Sequence, residues 1–276
     1  MFGYTCKILS VDLTTSRIKI LNINEELFKK FIGGMGLGSK ILYDSLKPDV
    51  DALSPENLLI FATGPLTGLA LPSSASFSIV TRSPLTNIFY SSTMRGNLGT
   101  KLKQAGFDML VIKGASSSPV FLQIEENDCK IIGALDLWRK NIYQTDKILK
   151  SELGKDFAIA AIGIGGEKLV RFASINTDLY EHCVGGAVMG SKNLKAIAVN
   201  GKNRLQYYNF DKFKLVARKI FKKIRNCKDR ICELRNRSYF SRDFTLKPML
   251  QSLSVMSELE KNLLPTKNFQ SASLGA

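Results

Sequence analysis

The chain has 276 residues, 45% of them hydrophobic and 23% charged, which excludes a mainly disordered or collagen-like polymer and suffices for one or two domains with a large core. No run of about 18 uninterrupted apolar residues occurs, so no membrane span is expected, and the opening residues lack the apolar run of a secretory signal. The formal net charge of +15 is uneven: residues 201–276 hold 17 basic and 6 acidic side chains, a net of +11, against +4 for residues 1–200.

In chain order, TCKILSVDL and RIKILNI are predicted strands around the turn Thr14-Thr15-Ser16. Asn24 is placed to cap a helix EELFKKFIGG, with Glu26 in its first turn and Gly33-Gly34 ending it. Gly34-Met35-Gly36-Leu37-Gly38 reads as a glycine loop opening a second helix, SKILYDSL, that stops before Pro48. The apolar run LLIFAT suits a strand buried on both faces and enters a long Gly/Pro/Ser region at 64–99. A short helix at 100–105 precedes another buried strand, DMLVIKG. PVFLQIEEN and CKIIGAL read as a hairpin, and Thr145 begins a helix ending at Gly154. FAIAAIGIGG, KLVRFASIN and LKAIAVNG are further strands. Gly99-Thr100-Lys101 before DMLVIKG is echoed by Gly190-Ser191-Lys192 before LKAIAVNG, a hint of two related halves.

Composition shifts at 201–209, a candidate boundary. Beyond it Phe210, Phe213, Val216, Ile220, Ile224, Cys227, Ile231 and Leu234 form one stripe of a long amphipathic helix, capped by Asn209 or Asp211. MLQSLSVMSELEKNLLPTKNF reads as a last helix stopped at Pro265, and SASLGA follows without a capping element, as though the chain were cut. The basic tail suits a polyanion, but a solvated face or an acidic partner accounts for it as well, and nucleic acid is not the expected partner.

Side-chain chemistry has few candidates. Gly185–Lys192 nearly spells a P-loop, but Ser191 precedes Lys192 and a strand follows where that motif needs a helix. Other phosphate cradles remain open, because successive N–H groups in glycine turns bind anions. His182, the one histidine, adjoins Cys183; a dyad would need a favourable geometry, and a structural role is the expectation. Cys227 and Cys232 would lie about 140° apart on a helix and could not share a metal. Five scattered cysteines suggest reduced thiols and a cytoplasmic location. Any enzymatic reading therefore leans on a borrowed cofactor.

Five ordered segments, SPENLLIFATGPLTG (54–68), TRSPLT (81–86), GFDMLVIKG (106–114), GIGGEKLVRFASI (163–175) and GAVMGSKNLKAIAV (186–199), together with Asp136-Leu137-Trp138, resemble the N-terminal region of the tungsten-containing aldehyde ferredoxin oxidoreductases. The resemblance implies an α+β fold: a two-lobed mixed-sheet pterin-binding N-terminal domain at 1–205, followed by the beginning of an all-α domain at 206–276. It implies a bis-pterin cofactor carrying tungsten or molybdenum, with magnesium able to bridge the pterin phosphates. It also implies aldehyde oxidation to a carboxylic acid, electrons leaving to ferredoxin through a 4Fe–4S cluster. The cluster ligands are expected beyond this chain, which is read as either truncated or split, a separate chain supplying the helical domains in the second case, and no catalytic residue or metal ligand is expected here. Arg95, Gly96, Gly185 and Gly186 are the cofactor-binding candidates. Four positions depart from the family pattern: Ser76 stands where an Arg is usual, Thr93 where an Asn is usual, Arg95 where a Gly is usual, and Glu181 where an Arg contacts phosphate. A carboxylate facing phosphate is repelled, while Arg95 can restore charge by bidentate pairing. These departures leave a non-catalytic relic or scaffold subunit as the alternative.

Overall fold

A computed structural model of the chain describes residues 1–177 and 181–226. The expected last helix, Cys227 and Cys232 lie outside the described residues. β1 (Lys7–Asp12) and β2 (Arg17–Asn22) form the expected hairpin, with Lys7 opposite Asn22. Asn24 caps α1 (Glu25–Phe31), its Oδ1 accepting from the Glu26 amide at 3.0 Å. The helix ends at Ile32, which is left-handed at φ 63°. The glycines that follow are no loop: α2 (Gly34–Ser45) begins with them. A Cβ on Gly36 would lie 2.6 Å from the Phe31 carbonyl oxygen, and one on Gly38 would lie 2.9 Å from Val80 Cγ2. Close packing, not a phosphate, demands glycine there.

β3 (Leu59–Thr63) is buried at all five positions, as its apolar run requires. The region at 64–99 departs from expectation, because it contains β4 (Phe77–Arg82) and β5 (Phe89–Met94). β5, FYSSTM, is an edge strand with five of its six residues at least partly open to solvent, so it lacks an apolar signal. α3 (Asn97–Gln104) starts earlier than the expected 100–105 and leads to β6 (Met109–Lys113). The first sheet runs β2-β1-β6-β3-β4-β5.

The second half opens with the expected hairpin, β7 (Val120–Glu125) and β8 (Asp128–Gly133). A 3-10 turn at Leu135–Leu137 leads to α4 (Ile142–Leu153), which starts before Thr145 because Asn141 and Gln144 form a reciprocal capping box. β9 (Ala158–Ile162) is followed by the short α5 (Ile164–Glu167). Only the end of KLVRFASIN is strand, β10 (Ser174–Thr177). β11 (Glu181–Val184) and α6 (Gly186–Ser191) are two elements that periodicity did not show, and β12 (Leu194–Asn200) closes the half.

The second sheet, read from its β8 edge, runs β8-β7-β12-β9-β10-β11. It repeats the first sheet position by position: a hairpin at one edge, a parallel pair (β1 with β6, β7 with β12), and antiparallel neighbours to the other edge. The two halves are thus one topology used twice. The echoed triplets are not the equivalent points, however. Gly99 lies three residues past the α3 cap and Gly190 five past the α6 cap.

One continuous core joins the halves: Leu9, Phe61, Ile79 and Ile112 of the first sheet pack with Leu98 and Leu102 of α3 and with Leu122, Ala160, Ile197 and Val199 of the second. α1 and α2 cover the far face of the first sheet, and α4 the far face of the second. The chain divides into two compact units, Met1–Gly68 with Ala75–Gln206, and Leu69–Ser74 with the residues from Tyr207 onward. In the second unit α7 (Phe210–Asn226) is capped by Asn209, whose Oδ1 accepts from the Lys212 amide at 2.8 Å. Its inward stripe is Phe213, Ala217 and Phe221 against Ala70 and Leu71, so Phe210 and Val216 of the expected stripe stay exposed. No helix among the described residues is long and apolar enough to cross a membrane.

Candidate functional site

The two halves meet at a seam between edge strands β5 and β11. The Val184 amide donates to the Tyr90 phenol oxygen at 3.1 Å, and Thr177 Oγ1 donates to the Arg95 carbonyl at 3.4 Å. Thr177 sits opposite Glu181 in the β10–β11 ladder, and Ser174 opposite Val184. β5 therefore passes β11 in the opposite direction: Tyr90 lies by the end of β11, and Arg95 by its start. Each edge strand runs straight into a glycine. Gly96 follows Arg95 and caps α3 at φ 112°; Gly185 follows Val184 and caps α6 at φ 141°. Both angles are strained for any residue with a Cβ. The two turns occupy equivalent places in the two lobes and stand at opposite ends of the shared seam.

The sequence candidates fall within this arrangement, with different roles. The Arg95 side chain is exposed beside its turn. Neither helix has a side-chain cap or an acidic residue in its first turn. The N-terminal end of α3 carries the positive end of the helix dipole, which attracts anions. Gly185 and Gly186 differ. Both of their amides donate to the Ala173 carbonyl, at 3.3 and 2.9 Å. A Cβ on Gly186 would meet the Ser174 carbonyl oxygen at 2.6 Å. Their N–H groups are spent on the fold, so this turn offers shape rather than amide donors.

Buried lysines brace both lobes. Lys103 of α3 pairs with Asp108 at 3.3 Å, both about 2% exposed or less, and donates to the Gly64 carbonyl. Asp108 Oδ2 in turn accepts from the amides of Thr5 and Cys6. Thr67 Oγ1 accepts from the Gly64 amide and donates to the Ser76 carbonyl at 2.8 Å, fixing that stretch before β4. In the second lobe Lys195 is wholly buried against Glu167 and donates to the carbonyls of Lys140 and Ile162, both at 2.8 Å. Burial lowers the Lys195 ammonium and Glu167 opposes that. α6 rests on α5 through glycines: a Cβ on Gly190 would come 2.0 Å from the Gly166 carbonyl oxygen. Lys192 joins the lobes, donating to the carbonyls of Pro55, Asn57 and Gly114 at 3.2, 2.6 and 3.1 Å. A P-loop lysine would reach for phosphate; this one is buried on backbone. The resemblance singled out the Gly96 turn, and Gly185–Lys192 also stood out as a near P-loop, but nothing in the sequence marked Tyr90, Thr177, Lys103 or Lys195.

Nucleophile chemistry finds no support. Cys183 is buried, and burial pushes its thiol up to about 12, as it does for Cys129. Cys6, Cys129 and Cys183 are free thiols. Among the described residues no three His, Cys, Asp or Glu side chains gather as a metal site.

Residues 8–201 match the family model described as aldehyde ferredoxin oxidoreductase, N-terminal domain. The chain belongs to the aldehyde ferredoxin oxidoreductase family. It is 43% identical over 229 residues to a tungsten-containing aldehyde ferredoxin oxidoreductase of Pyrococcus abyssi (strain GE5 / Orsay), covering 82% of this chain and 38% of that protein. It is 40% identical over 245 residues to an aliphatic sulfonate oxidoreductase, WOR-like subunit, of Pyrococcus furiosus (strain ATCC 43587 / DSM 3638 / JCM 8422 / Vc1), covering 81% and 39%. Among solved structures, the active site complex BamBC of benzoyl coenzyme A reductase in complex with 1,5 dienoyl-CoA aligns with a TM-score of 0.80 at 33% identity, over 83% of this chain and 35% of that one. The chain spans about two fifths of the length of these curated relatives. Of the positions departing from the aldehyde ferredoxin oxidoreductase pattern, Thr93 is exposed on β5 opposite Ser78, and Glu181 opens β11 opposite Thr177. All four, with Ser76 just before β4 and Arg95 just after β5, lie on or beside the β4–β5 and β10–β11 edges.

Proposed function

We propose that the first unit is the pterin-binding part of a tungsten or molybdenum oxidoreductase, with a bis-pterin cofactor seated along the β5–β11 seam. The observation that carries this reading is the pair of equivalent glycine-capped turns, one per lobe, at opposite ends of antiparallel edge strands. A cofactor with two like halves suits two like turns. Arg95 supplies positive charge at the first turn and pairs with a pterin phosphate, and the α3 N-terminus favours the same anion. Gly96, Gly185 and Gly186 keep side chains out of the turns. When bound, such a cofactor would supply the two-electron chemistry at its metal; Arg95 and the glycine turns would orient it and hold its phosphates, with magnesium as a companion ion. The reaction is oxidation of an aldehyde to a carboxylic acid, with electrons leaving to ferredoxin through a 4Fe–4S cluster held by helical domains outside this sequence, in the cytoplasm.

Metal and pterin content of the purified chain, with whatever copurifies, tests this. The expected result is tungsten or molybdenum with about two pterins per chain, and at least a tenfold loss with Arg95→Ala. Absence of both metal and pterin from cells grown with tungstate and molybdate overturns it. Ser76, Thr93 and Glu181 favour a second reading, a scaffold that keeps the fold without the cofactor, and the same assay separates the two.

A further inference from the structure

We infer that Tyr90 is a positioning residue that sets the spacing between the two glycine turns. β5 and β11 belong to different sheets, so no ladder holds them in register. The described seam is tied instead by two side chains at its ends. The Tyr90 phenol oxygen accepts from the amide of Val184, the residue just before Gly185. The Thr177 hydroxyl donates to the carbonyl of Arg95, the residue just before Gly96. Each tie therefore acts on the backbone link that enters a cap. Tyr90 is itself held by its place opposite Thr81 in the β4–β5 ladder, so its phenol is a fixed point of the first lobe reaching to the second. A ligand that contacts both turns at once requires that their separation be set before it binds; otherwise binding must also order the seam.

This deepens the cofactor reading and rests on it, and Tyr90→Phe in the full chain tests it. The ring remains, so the midpoint of urea unfolding is expected to move little. Exchange of the Val184 amide is expected to quicken roughly five- to tenfold, the worth of one partly buried hydrogen bond. Metal and pterin retained through dialysis are expected to fall by a similar factor, while Thr177→Ser, which keeps its hydroxyl, behaves as wild type. Should Tyr90→Phe fail to accumulate, Thr177→Val carries the same test from the other end, read as a shift of the Arg95 carbonyl-carbon resonance, which loses its donor, and loss of cofactor. Wild-type exchange in the variant, or fast exchange with full retention of cofactor, overturns the inference. A wild-type chain that holds no pterin overturns the cofactor reading as well, and the exchange rates show whether the tie itself exists.

Discussion

Lys192 shows how much one side chain can decide. Its ammonium is buried with no carboxylate beside it, and burial pushes it down to about 7 against the weak pull of Asp12. Three carbonyls accept from it, and they favour the charged form, which has three protons to give. The sign of its pH dependence follows. Between about 7 and the ordinary 10.5 the unfolded chain holds the proton more tightly, so stability rises with pH across that window and is lost again as pH falls through 7. Lys192→Met is expected to flatten that rise and to lower stability by about 3 kcal/mol or more, because buried carbonyls lose their donor. Urea unfolding at several pH values checks both. The thiols give a second expectation. At pH 8 iodoacetamide should leave Cys129 and Cys183 unlabelled in the folded chain, both being buried and raised to about 12, and should label them after unfolding. Peptide mass spectrometry reads this site by site.

At the scale of elements, glycine does two separate jobs. Gly96 and Gly185 are needed for their backbone angles, whereas Gly190 and Gly99 are needed for room: a Cβ would meet the Gly166 carbonyl oxygen at 2.0 Å or Phe77 Cβ at 2.8 Å. Gly190→Ala should therefore cost about 3 kcal/mol, near the top of the range for overpacking, because backbone rather than a flexible side chain has to move. Gly133→Ala, with nothing within 4 Å, should leave stability nearly unchanged, and the pair of urea midpoints is the check. Asn141→Ala should cost about 1 kcal/mol by opening the capping box of α4. These elements were legible in uneven degree. The buried strands β3, β6, β9 and β12 show as apolar runs because water is excluded from both faces. β4 does not stand out, because a Gly/Pro/Ser-rich stretch surrounds its apolar residues. β5 and β11 are edge strands, and α6 is only six residues, GAVMGS, packed through its glycines on another glycine-containing helix. Their stability comes from tertiary contact, which leaves no period in the sequence.

At the scale of the whole first unit, the two lobes share one core rather than two. Phe61 of the first sheet and Ala160 of the second belong to the same buried cluster. The single tryptophan, Trp138, lies in the second lobe. Phe61→Leu in the first lobe should therefore lower the urea midpoint reported by Trp138 fluorescence, by an amount equal to the global loss. An unmoved tryptophan transition would show that the lobes unfold apart. The same sharing shows in the lysine ties: buried Lys192 and half-buried Lys101 each reach from one lobe to carbonyl or amide oxygens of the other.

The sequence by itself determined the family, through five ordered segments. It also determined the central strands, the first hairpin and the Asn24 cap, all of which follow from local hydropathy and turn chemistry. Only the tertiary structure decided which glycines cap and which merely pack. It alone showed that Gly185 and Gly186 spend their amides on Ala173, and that Tyr90 and Thr177 tie the seam. The reason is physical: a hydrogen bond between residues some ninety positions apart follows from how two sheets dock, and docking is a property of their faces together, not of either stretch of chain.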